Sequence, residues 1–262
     1  MELIKPIVKI GNSSGVVLPR KWLHRKARIQ LIQEVSDIAG DIIEILINKE
    51  IMKNVMGIYL TGSYARGEQR EESDIDVLII SNNIDEHIKE GIYDLMIISK
   101  RKIRKILEKN ILPILPMLRE AKSLMNESLI EDFKKIKINK KNLKWHIETT
   151  KSALRINDSN IKLSEKLSEK NIGDAVAYSL ILRLREVYIV DCLKKNKLWK
   201  TNEFVEMVKK ISGSVEAYDR YLAVKNRGEA KEILKLGEAK KLLAYLEKKI
   251  SEQKKWLKEI KD

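Results

Sequence analysis

From Val55 to Ile80 the sequence reads VMGIYLTGSYARGEQREESDIDVLII. Two apolar, β-rich runs suited to buried strands bracket a glycine bend and a polar stretch. Gly62 has no side chain, so backbone there can approach a ligand closely. Ser63 follows with a hydroxyl and with N–H groups suited to phosphate. Asp74 and Asp76 stand two positions apart where the second run begins. In a strand that spacing puts both carboxylates on one face, with Cα atoms roughly 6.6 Å apart. Paired carboxylates there can hold Mg²⁺, which prefers oxygen ligands and shares them with substrate phosphates. A third carboxylate is expected from a neighbouring strand, and Asp94 in IYDLMIIS begins the next β-branched run.

A strand, a Gly-Ser bend, and Asp-x-Asp entering a second strand eleven positions after the serine form a specific combination. It resembles the nucleotidyltransferase signature of the DNA polymerase β superfamily, in the form of its minimal and kanamycin-type members. The resemblance spans roughly residues 36–135. It implies an α+β catalytic domain with a mixed sheet flanked by helices. Gly62, Ser63 and Arg66 would then bind the nucleotide triphosphate. Asp74, Asp76 and Asp94 would be the catalytic, metal-binding carboxylates, with Mg²⁺, or Mn²⁺ in its place, as cofactor. The implied reaction moves an NMP, with ATP as the default donor, to an acceptor hydroxyl and releases pyrophosphate. The acceptor would be a small molecule or a protein side chain. In antibiotic-type relatives a carboxylate of the helical domain takes the acceptor's proton; Glu148, Asp174 and Glu186 are available, beside Asp94 itself. An RNA-end nucleotidyltransferase, or a DNA-binding regulator with a nucleotide-sensing domain, are the alternatives.

The first 35 residues read as a separate β unit. IVKIGNSSGVVL, from Ile7 to Leu18, is two short β runs around an Asn-Ser-Ser-Gly turn, stopped by Pro19. Arg28 to Gln33 alternates like a further strand. Residues 1–30 hold seven Lys or Arg against one Glu, a net of +6. The KIGNS-G-VVLP pattern with its following Trp-Leu resembles the swapped-hairpin DNA-binding domain of the AbrB/MazE/SpoVT type. That resemblance implies a homodimer and DNA contacts through Lys9, Asn12, Arg20, Lys21, Arg25, Lys26 and Arg28. The chain's formal net charge of +14 also suits polyanionic partners.

Between these landmarks, Ser36 to Lys49 reads as an amphipathic helix with Ile38, Ile42, Ile45 and Leu46 on its apolar face. A polar helix is expected before Lys89, a basic helix over Lys100 to Lys109, and further helix over Met117 to Met125. From Lys140 the pattern is helical to the end, giving a bundle domain over residues 140–262. DAVAYSLILRLREVYIVDCL, from Asp174, is apolar nearly all round and should be its central helix. This half is loosely similar to the helical domain of kanamycin-type nucleotidyltransferases or to HEPN partners. HEPN ribonuclease chemistry needs an Arg closely followed by a His; the histidines are His24, His87 and His146, and in the helical half no arginine lies closer before His146 than Arg119, so that chemistry is not expected. The single cysteine, Cys192, excludes a disulfide framework, and no apolar run is long enough to span a bilayer. A cytoplasmic protein without membrane partners is expected.

Overall fold

The computed structural model describes residues 5, 7–29, 35–70, 73–225 and 234–259. The chain divides into two compact units, residues 1–41 and 42–262. In the first, β1 (Ile7–Ile10) and β2 (Ser13–Val16) pair antiparallel, with Ile10 opposite Ser13. The turn is therefore the dipeptide Gly11-Asn12, tighter than the four-residue turn read from the sequence. Gly11 makes it possible by taking φ of +61°. A single 3-10 turn, Arg20–Trp22, follows Pro19. Of the strand expected from Arg28 to Gln33, Arg28 and Ile29 are irregular and the rest lies outside the described residues.

α1 (Val35–Asn48) carries the chain from one unit into the other, and its Ile38, Ile42, Ile45 and Leu46 are buried as the periodicity requires. Then come β3 (Val55–Leu60), α2 (Gly62–Arg66), β4 (Ile75–Ser81), β5 (Glu86–Glu90), β6 (Tyr93–Ser99), α3 (Lys100–Lys109), α4 (Leu115–Glu120), β7 (Lys122–Met125) and α5 (Glu127–Lys134). The strands form one mixed sheet in the order β5-β6-β4-β3-β7. Only β4 and β6 run parallel; the other pairs are antiparallel.

Two expectations are corrected here. The segment before Lys89 is the edge strand β5, not a polar helix. Its pattern EHIKE buries only Ile88, and its charges protect the open edge. The helix expected over Met117 to Met125 stops at Glu120, and Lys122–Met125 pairs with β3 instead. A four-residue run has too little periodicity to declare itself, so the free edge of β3 decides its state.

Among the described residues the remaining elements are helices: α6 (Lys140–Lys166), α7 (Asp174–Lys194), α8 (Thr201–Ser212), α9 (Glu216–Lys225) and α10 (Leu236–Glu259). One core gathers α6 to α10 around α7, with Leu180, Ile181, Leu184, Phe204 and Leu246 at its heart. A second lies between the sheet and α3 to α5, where Tyr59, Leu78, Ile80, Ile103 and Leu118 meet Leu143 of α6 and Val190 of α7. The helical half thus supplies residues to the core beside the sheet. The architecture is α+β, a five-stranded mixed sheet flanked by helices and followed by an all-α region, with a small N-terminal hairpin. Among the described residues no helix is long and apolar enough to cross a membrane.

Candidate functional site

β3 ends at Leu60, and Thr61 ties that end to β4 by donating its N–H (2.8 Å) and its hydroxyl (3.2 Å) to the carbonyl of Asp76. The next residue, Gly62, takes φ of +66° and opens α2. Glycine is required twice over. The left-handed backbone disfavours any side chain, and a Cβ here would collide with the Asp76 carboxylate. The bend and the second aspartate are therefore packed directly together, which the linear motif could not show.

The parallel pairing of β4 and β6 sets Asp76 beside Asp94 in register. Neighbouring strands lie about 4.8 Å apart, so the two carboxylates share one face of the sheet. Asp74 immediately precedes β4. Burial, then the negative charges of Asp94 and Asp74, push the Asp76 carboxyl above its usual range, against the pull of Arg66 and Lys225. Asp74 and Asp94 are thus each close enough to Asp76 for their charges to act on it.

Two side chains from β5 meet these carboxylates. Lys89 Nζ lies 2.8 Å from Asp74 Oδ2, and His87 Nε2 lies 2.6 Å from Asp94 Oδ1. The Lys89 ammonium is held above its usual range by its hydrogen bond to Asp74. Neither residue was singled out as part of the site; reading EHIKE as a strand would have placed both on its outward face. Among the described residues no three acidic, His or Cys side chains converge on one metal position. The donor set nonetheless fits a hard divalent cation. It is all oxygen, and Asp76 is short of neutralising charge.

The bend has a second set of partners. Gly62 N–H donates to Glu120 Oε1 at 2.9 Å, and Arg66 Nη1 donates to Glu120 Oε2 at 2.7 Å. Arg66 Nε also bonds Glu68 Oε2 at 2.8 Å, and its guanidinium carbon lies 3.9 Å from the centre of the Trp199 ring. The Arg66 side chain is only 8% exposed. It stands beside the bend with its charge paired to Glu68 and Glu120. Burial pushes the Glu120 carboxyl up against the opposing pull of Arg66. Ser63 is half-buried next to Gly62.

Of the carboxylates considered for proton transfer, Glu148 pairs with Lys144, Asp174 with Arg220, and Glu186 with Arg183. In the N-terminal unit Lys9, Asn12, Arg20, Lys21, Arg25, Lys26 and Arg28 are all exposed.

Residues 42–149 match the family model of the nucleotidyltransferase domain. No curated protein matches the chain. Among solved structures, a nucleotidyltransferase-like protein from Exiguobacterium sibiricum aligns at 12% identity and a TM-score of 0.38, over 82% of this chain and 75% of that one. The spectinomycin adenyltransferase of Enterococcus faecialis, solved with ATP and spectinomycin, aligns at 12% identity and a TM-score of 0.42, over 82% and 99%. It is to the nucleotidyltransferase domain family that residues 42–149 are similar, and the Gly62 bend and all three aspartates fall inside that match.

Proposed function

We propose that this chain is a metal-dependent nucleotidyltransferase that moves an NMP from an NTP to an acceptor hydroxyl, with release of pyrophosphate. The observation that carries the reading is the juxtaposition of the Gly62 bend with Asp76, which has Asp94 beside it on the neighbouring strand and Asp74 just ahead of β4. Gly62 and Ser63 take the triphosphate, and Arg66 braces the bend beside them. Asp74, Asp76 and Asp94 hold Mg²⁺ or Mn²⁺. When bound, that ion supplies charge neutralisation for the phosphates and for the departing pyrophosphate. The chain's own share is orientation, with Asp76 and Asp94 paired in register to face the α-phosphate; the acceptor's proton goes to Asp94 or to a carboxylate of the helical half, Glu148, Asp174 or Glu186. ATP is the donor that the family resemblance implies, and a small molecule or protein side chain is the acceptor. Residues 36–135 would form the catalytic domain and 140–262 a helical domain set against it.

The test incubates the protein with α-labelled ATP, Mg²⁺ and cell lysate. Label should appear on an acceptor with the native chain. It should be lost with the double variant Asp74→Asn, Asp76→Asn, whose circular dichroism stays native. Undiminished label in that variant overturns the reading.

A second role is favoured by the N-terminal hairpin. Its strands expose Ile7, Val8 and Ile10, with Val17, Leu18, Leu23 and Ile29 exposed beyond them, among its basic residues. We propose that residues 1–35 dimerise and bind DNA, which would couple the enzyme to a regulatory site. A gel shift with promoter DNA should weaken steeply as salt rises, because phosphate contacts release counterions. No shift, or one indifferent to salt, removes this role.

A further inference from the structure

Glu120 ends α4 and is 7% exposed, yet nothing in its sequence neighbourhood marks it for chemistry. A carboxylate so buried persists only where its oxygens are satisfied. Both are, and by two of the groups placed at the nucleotide bend. One oxygen takes the Gly62 N–H and the other takes Arg66. The chain of contacts then continues away from the site. Arg66 bonds Glu68, and the Glu68 carboxylate accepts the N–H (3.0 Å) and the hydroxyl (2.8 Å) of Thr201. Thr201 is the first residue of α8, and Trp199, against which Arg66 lies, is two residues before it. Burial alone would push the Glu68 carboxyl up; its bonds from Arg66 and Thr201 outweigh that and hold it below its usual range. Every link in this path is a charge-assisted hydrogen bond or a cation over a ring.

We infer that Glu120 is a positioning residue for the nucleotide. It fixes the peptide at Gly62 and the guanidinium of Arg66 from their buried side. Through Arg66, Glu68 and Thr201 it also makes the grip on the triphosphate depend on the start of α8 in the helical half. The inference rests on the nucleotidyltransferase reading. Glu120 holds the Gly62 N–H from α4, close enough to Asp76 that the aspartate's charge helps push the Glu120 carboxyl up.

The experiment uses the full chain and ATP with Mg²⁺ as probe. Glu120→Gln retains size but removes the charge and turns an amide toward Arg66. The expected result is a Kd and KM for ATP raised about tenfold, with kcat changed far less, as for other supporting residues behind a binding group. Glu120→Asp, which keeps the charge, should recover part of that loss. Glu68→Gln, cut further along the path, should raise KM in the same direction by a smaller factor, and it carries the test if Glu120→Gln does not fold. ATP affinity unchanged in a folded Glu120→Gln protein that merely melts earlier would overturn the inference. Tighter ATP binding would also overturn it, making Glu120 a competitor of the phosphate. A native chain that neither binds nor turns over ATP would instead refute the enzymatic reading itself.

Discussion

Asp76 occupies a position that works against folding. Its carboxyl is buried beside Asp94 and Asp74, and its proton affinity is raised above the ordinary aspartate range. An acid raised in the folded state binds protons there that the unfolded chain has already released. Its ionisation therefore removes stability as pH climbs from about 3.8 through the raised value. Asp76→Asn should melt at a higher temperature than the native chain at pH 7 in EDTA, and the gap should close below pH 3.8. The same substitution should cut transfer by about 100-fold or more, the usual scale for losing one electrostatic anchor of a transition state. A variant that melts lower at pH 7 would show that Asp76 is stabilised by its partners and not strained by them. Calorimetry across pH decides this.

At the scale of elements, short segments between the long ones hold the site's frame. Asn126, between β7 and α5, takes φ of +63° and caps α5 by accepting the N–H of Leu129. Its amide donates to the Met56 carbonyl, and its own carbonyl receives the Tyr59 hydroxyl from β3. Burial pushes that phenol up to about 12. Asn126→Ala removes the cap and places a poor residue in a left-handed conformation, so a loss of about 2 kcal/mol is expected in urea unfolding. Asn126→Gly should lose less, since glycine restores the backbone freedom. Equal losses would mean that the side-chain bonds, not the backbone, dominate. The tie from α2 to α8 has its own signature. Glu68 is held below the normal glutamate range, so its contribution is present above pH 4.5 and disappears as pH falls through the lowered value. The melting difference between native chain and Glu68→Gln should therefore be largest near neutrality and shrink in acid; a difference independent of pH would exclude a charge-based tie.

For the molecule as a whole, the two units differ in self-sufficiency. Residues 42–262 close two cores of their own. The hairpin of residues 7–16 is two strands with no core, and an isolated two-stranded hairpin is marginal in water. We expect the full chain to self-associate through this hairpin. Ile10→Asp should shift its sedimentation toward the monomer while residues 42–262 remain folded. A native chain that sediments as a monomer at micromolar concentration would remove the argument.

The sequence alone determined the elements of the candidate site. A glycine bend and spaced aspartates between apolar β runs are local patterns, and residue type and period suffice to read them. The same holds for the long helices, read from the apolar face of α1 and from the length and all-round apolar character of α7. Tertiary structure decided the rest. Lys122–Met125 became a strand because β3 had an open edge. His87 and Lys89 met the aspartates only once β5 paired with β6. Glu120 reached Gly62 across fifty-eight residues because α4 packs behind α2. Such partnerships depend on which surfaces meet after the chain folds back on itself, and no local window of sequence contains that information.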